Sequence, residues 1–127
     1  MPGALVIDDA RVVRTLLRSN LVDLGFDVIQ AANGREALAA LDTAPSTTLA
    51  LVDWNMPVMN GLEFVKAARA DPRFAALTII MVTSETEVDH IVSALDAGAN
   101  DYIMKPFTSE MIAEKLLLLD LLESQPT

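Results

Sequence analysis

The sequence predicts a doubly wound α/β domain, and three observations predict it. Five short β-type runs alternate along 127 residues with stretches whose apolar positions recur at helical spacing. The third run, Thr48–Val52, is wholly apolar after its first residues, as a strand covered on both faces must be. Such strands pair in parallel and need crossovers, and crossovers are right-handed, so helices pack on both sides of one sheet.

The elements follow in order. Leu5–Asp8 reads as the first strand. Val12, Val13, Leu16, Leu17, Leu21 and Leu24 mark one face of a helix, and Gly25 follows where a helix end favours left-handed φ. Asp27–Ala31 is the second strand, Asn33-Gly34 a turn and Arg35–Leu41 a short helix. After the third strand and a loop comes a helix over Leu62–Ala70, with Asn60-Gly61 after Pro57 read as a tight turn. Leu77–Val82 is the fourth strand, Glu87–Ala97 a helix closed by Gly98, and Tyr102–Met104 the fifth strand. Ser109 to about Leu122 is the last helix.

Composition excludes several classes. Net charge is −9, from 9 basic and 18 acidic residues, which opposes direct contact with a nucleic-acid backbone. The chain has no cysteine, hence no disulfide or thiol chemistry. Apolar runs such as Leu116–Leu119 fall far short of the roughly 18–20 residues of a membrane span, despite a mean hydropathy of +0.37. No basic stretch followed by an apolar core opens the chain, so a soluble, cytoplasmic protein is expected.

In a doubly wound sheet the ligand site lies beyond the carboxyl ends of the strands. Those ends carry Asp8 and Asp9, then Asp53, then Thr83 and Ser84, then Lys105. Adjacent carboxylates repel, and one divalent cation relieves that repulsion. Oxygen ligands without His or Cys suit Mg²⁺, with Mn²⁺ as the alternative. Lys105 offers a further positive charge to a phosphoryl group, and a carboxylate held there can itself be the nucleophile. Asp53, central in strand order, is the best candidate. Taken alone, Asp9 reads equally well as an N-cap of the next helix. The Lys105–Pro106 bond is expected to be cis, turning the lysine back over the pocket.

LVIDD, LVDWNMPVMNGLE, IIMVTSE and AGANDYIMKPF, in this order and spacing, resemble the signature blocks of response-regulator receiver domains. DWNMP and DYIMKPFT are closest to the single-domain chemotaxis (CheY-like) regulators. The resemblance implies a flavodoxin-like (βα)5 fold with strand order 2-1-3-4-5, a receiver domain over 1–123 and a tail over 124–127. It implies phosphorylation of Asp53 by a histidine kinase or histidine phosphotransfer protein. It also implies Mg²⁺ on Asp9, Asp53 and the Asn55 carbonyl, with Asp8 acting through water. Lys105 would pair with the phosphoryl oxygens, Thr83 and Tyr102 would be the switch residues, and Asn55 and Glu85 would tune hydrolysis. The surface of the fourth helix, fifth strand and fifth helix would then engage a downstream protein that the sequence does not identify.

Weaker features carry two readings each. Arg11, Arg14 and Arg18 form a basic stripe that is either a solvated helix face or a kinase-docking surface. Ile112, Leu116 and Leu119 satisfy one buried face of the last helix. Leu117, Leu118, Leu121 and Leu122 are therefore expected to form, with Tyr102, a partner surface or a homodimer interface, or else a more deeply packed helix. His90 is expected at the surface and Trp54 partly exposed beside Asp53, while Met56, Met59, Met81 and Met104 are assigned to core or loop packing. Glu87 and Val88 stand where motor-binding regulators tend to carry lysines, which weakens the case for a flagellar-motor target. The competing functions are a receiver fragment of a longer hybrid or effector-linked regulator, and an aspartyl-phosphate phosphohydrolase. The latter would need a DxDx(T/V) loop where DWN stands. A nucleotide or flavin binder would need a Gly-rich loop where Asp9-Ala10-Arg11 stands.

Overall fold

Alternation along the strands decides which helix goes where. The computed structural model describes residues 2–84 and 88–122. Its elements are β1 (Gly3–Ile7), α1 (Arg11–Asp23), β2 (Asp27–Ala31), α2 (Gly34–Thr43), β3 (Thr47–Asp53), α3 (Gly61–Ala70), β4 (Thr78–Thr83), α4 (Val88–Ala97), β5 (Asp101–Met104) and α5 (Ser109–Leu118), with a 3-10 turn at Pro72–Phe74. The strands form one parallel sheet in the order β2-β1-β3-β4-β5. Leu5, Ile7, Ala50, Val52, Ile79 and Met81 face a core completed by α2, α3 and α4. The intervening residues Ala4, Val6, Leu49, Leu51, Ile80 and Val82 face a second core completed by α1 and α5. The expected fold class and strand order are therefore the observed ones. Among the described residues, no helix is long and apolar enough to cross a membrane.

Three helices end in the same hydrogen-bonded reversal. Phe26 N–H returns to the Leu21 carbonyl at 3.0 Å, Ala99 to Ala94 at 2.9 Å and Leu121 to Leu116 at 2.9 Å, each across a residue of positive φ. Gly25 and Gly98 supply that φ in the first two, but Asp120, at φ 60°, supplies it in the third. Hence α5 stops at Leu118 rather than continuing to about Leu122. Beyond the reversal Leu121 and Leu122 lie partly buried on the core of the α1/α5 side. The expected four-leucine outer face is thus corrected to two residues, Leu117 and Leu118, the latter 73% exposed.

Asn60-Gly61 opens a helix instead of making a free-standing turn. The Asn60 side chain accepts from Glu63 N–H at 2.9 Å and the Glu63 carboxylate accepts from Asn60 N–H at 3.1 Å, a reciprocal cap. Gly61 is required sterically, because a Cβ there would collide with the Asp53 carbonyl oxygen. Helix α3 therefore starts hard against the end of β3. At its other end Arg69 donates to the carbonyls of Gly98 (2.9 Å), Phe74 (2.9 Å) and Leu77 (2.7 Å) and to Asn100 Oδ1 (2.9 Å), joining α3 to the end of α4 and the start of β4.

Candidate functional site

Parallel pairing places the chemically active residues on one edge. Ile7 is in register with Val52, so Asp8 follows β1 beside Asp53 at the end of β3. Thr83 is in register with Met104, and Lys105 N–H donates to the Thr83 carbonyl at 2.6 Å. One carboxylate oxygen from each of Asp8, Asp9 and Asp53 lies within 4.8 Å of the others. The Lys105–Pro106 bond is cis, and the Lys105 ammonium stands 3.3 Å from Asp53 Oδ1 and 3.5 Å from Asp8 Oδ2.

Burial makes this crowding costly. Asp8 and Asp53 are 1% and 7% exposed, whereas Asp9 is open to solvent. Burial, then the neighbouring Asp8 charge, raises the Asp53 carboxyl from 3.8 to about 6, against the opposing pull of Lys105. Burial likewise raises Asp8 above its ordinary value. For Lys105 burial acts to lower the pKa, but the charges of Asp53 and Asp8 outweigh it and hold the ammonium above its usual range. Asp8 Oδ1 accepts from Ala10 N–H at 2.8 Å, while its buried Oδ2 has no hydrogen-bond partner among the described residues. Three carboxylates facing one ammonium, with a buried Asp8 Oδ2 that meets only that ammonium, at 3.5 Å, fit a hard divalent cation. The acidic group can hold such an ion.

Asp9 does not cap α1, whose N-cap is Ala10 without a side-chain bond. Arg14 is half-buried and donates from Nη1 to the Asp8 carbonyl at 2.7 Å, so it frames the site, while Arg11 and Arg18 remain exposed. Thr83 is buried at the end of β4. Tyr102 lies away from this edge, exposed on β5, with the Lys115 ammonium 5.6 Å from its ring centre and Lys115 also 3.2 Å from Asp101 Oδ1. Tyr102 and Lys115 line, with Met104, Met111, Glu114 and Leu118, a groove of about 310 Å³. Asn55 is exposed in the loop after β3. Glu85 and Glu87 lie outside the described residues.

Two expectations about aromatic residues are corrected. Trp54 is not partly exposed but only 9% exposed, packed into the core on the α3 side. His90 is half-buried rather than a free surface residue, because its ring stacks on the Trp54 indole with centroids 4.1 Å apart and planes 13° apart. Sequence reasoning missed this pair, the framing role of Arg14 and the Lys115–Tyr102 contact. The partners stand far apart in the chain or on different elements, and no local pattern announces them.

The sequence matches the family described as "Response regulator receiver domain" over residues 4–117. It is 46% identical over 113 residues to chemotaxis protein CheY1 of Helicobacter pylori, covering 88% of this chain and 91% of that protein. It is 40% identical to chemotaxis protein CheY of Pseudomonas aeruginosa, over 88% of this chain and 90% of that one. The fold superimposes on the crystallised chemotaxis protein CheY4 of Vibrio cholerae with a TM-score of 0.86 at 36% identity, covering 93% and 98% of the two chains. A two-component system response regulator/GGDEF domain protein matches with a TM-score of 0.88 at 31% identity, over 95% of this chain but 50% of the other.

Proposed function

The chain belongs to the response-regulator receiver family, and we propose that Asp53 is its phosphoryl acceptor, supplied by a histidine kinase or histidine phosphotransfer protein. One observation carries this reading: a buried carboxylate at the end of the central strand, 3.3 Å from an ammonium and within one acidic cluster with Asp8 and Asp9. An Asp53 oxygen attacks phosphorus in line. The O–P bond forms as the N–P bond of phosphohistidine breaks, and the imidazole nitrogen keeps the electron pair. Lys105 balances charge on the phosphoryl oxygens, and the Thr83 hydroxyl turns to hydrogen-bond them. Asp9, Asp53 and the Asn55 carbonyl would hold Mg²⁺, or Mn²⁺, with Asp8 through water. When bound, the cation supplies positive charge to the phosphoryl oxygens. Attack by water resets the acceptor, at a rate tuned by Asn55 and Glu85.

The protein acts as a signalling receiver in the cytoplasm, promoting only its own phosphorylation and dephosphorylation. Arg11 and Arg18 flank exposed Val12 and Leu16 on α1, a mixed basic and apolar face suited to kinase docking. Phosphorylation shifts Tyr102 inward and alters the surface of α4, β5 and α5, where Leu117 and Leu118 offer apolar contact for a downstream protein or a second copy. The reading as one part of a longer regulator is favoured by one observation, the match to half of a response regulator/GGDEF domain protein. Incubation with acetyl phosphate and Mg²⁺ tests the central claim: the protein gains one phosphoryl group, and Asp53→Asn gains none. Labelling of the variant would remove Asp53 from its role.

A further inference from the structure

Helix α1 shows solvent a face that is laid out alike from either end. Its exposed residues are placed symmetrically about the buried Leu17: Arg11 and Val12 stand as far before it as Asp23 and Val22 stand after it. Thr15 and Leu16 are matched in the same way by Ser19 and Arg18. At 3.6 residues per turn Thr15 and Ser19 occupy the middle of the face, Val12 and Val22 lie beside them, Arg11 and Asp23 further out, and Leu16 and Arg18 on opposite rims. Val12, Leu16 and Val22 are 72%, 53% and 44% exposed, apolar area that a partner would remove from water.

The two ends of the face are opposite in charge, and neither is neutralised. Arg11 and Asp23 form no ion pair among the described residues. Asp23 also lines, with Glu110 of α5, a cleft of about 240 Å³. The Thr15 hydroxyl donates to the Arg11 carbonyl at 2.9 Å, so it can be covered without losing its partner. We propose that α1 docks on α1 of a second copy of this chain, antiparallel about a two-fold axis at Leu17. Val12 of each copy then packs on Val22 of the other, and the small Thr15 and Ser19 let the backbones approach. Arg11 of each copy reaches Asp23 of the other, at the edge of the cleft shared with Glu110, so the two-fold makes each ion pair twice. Leu16 meets its own copy along one rim and Arg18 along the other, where water screens the like charges. A second copy is the occupant because the complement of this face is acidic, apolar and basic in reversed order, which is α1 itself turned end for end. On the docking reading given above, self-association and kinase docking exclude one another; the dimer rests neither on that reading nor on the acceptor.

One helix from each copy makes an interface at the small end of specific ones, so association should be weak and concentration-dependent. Sedimentation velocity of the full chain at low salt, between about 1 μM and 1 mM, should show monomer passing to dimer. Arg11→Asp and Asp23→Arg each set like charges together at both ends of the contact, and each should raise the dissociation constant more than about tenfold. Both changes agree with the helix dipole, an acid in the first turn and a base in the last, so neither should harm the fold. An equimolar mixture of the two variants should associate again, to within about threefold of wild type, because every end then faces its opposite charge. A monomer throughout the range would overturn the proposal, as would a dimer that neither variant weakens or a mixture that stays monomeric. A dimer lost in Leu118→Gln but kept in Arg11→Asp would move the contact to α5 and overturn it equally.

Discussion

Asp53 is held at a cost that the pH dependence of stability should expose. Its carboxyl is raised from 3.8 to about 6, mainly by burial, so the folded state favours the protonated form. The contribution to stability is then fully present below the unfolded value and is lost as pH rises through about 6. Ionisation costs the fold on the order of 2–3 kcal/mol. Without divalent cations, Asp53→Asn should therefore be more stable than wild type at pH 7.5 by about that amount, with the difference vanishing below pH 4. Urea unfolding at the two pH values measures it, and a pH-independent difference would rule out ionisation of the buried carboxyl as the cause. Arg69 is the opposite case, a side chain whose hydrogen bonds hold three elements together. Arg69→Met leaves several carbonyls unsatisfied and should lower unfolding free energy by about 2–4 kcal/mol, without changing the labelling site.

At the scale of elements, the end of α5 divides four leucines into two kinds. Leu118 is exposed, and Leu118→Gln should leave stability within about 0.5 kcal/mol of wild type while weakening any partner that uses the groove. Leu121 folds back on the core, and Leu121→Gln should cost more than about 1 kcal/mol, read by thermal unfolding. Asp120→Gly should stabilise the helix end by about 0.5–1 kcal/mol, because glycine holds positive φ more easily. The sequence could not mark this boundary. Gly25 and Gly98 announce their helix ends, but an aspartate at φ 60° carries no such signal, and leucines before and after the reversal look alike. Strand positions were legible for the converse reason: apolar runs and the carboxylates behind them are local patterns that a parallel sheet gathers automatically. The contacts of Arg14, Arg69 and His90 arise only after folding, between elements that sequence spacing does not encode.

For the whole molecule, the sheet's edge concentrates negative charge that the rest of the fold must carry. Occupation by a divalent cation should reverse that burden: at a hundredfold excess over Kd, Mg²⁺ should raise the unfolding free energy by about 2.7 kcal/mol. Thermal melts with Mg²⁺ and with chelator at pH 7.5 check this, and the stabilisation should shrink in Asp53→Asn. Arg69 bears on motion as well as stability. It fastens the far end of α4 through Gly98, and Asn100 Oδ1 fastens that corner again by accepting from Ile79 N–H at 2.8 Å. In its first turn α4 lays the His90 ring flat on the Trp54 indole. Elements fastened at one corner by a single guanidinium should open together, so the amides they share there should exchange as one unit.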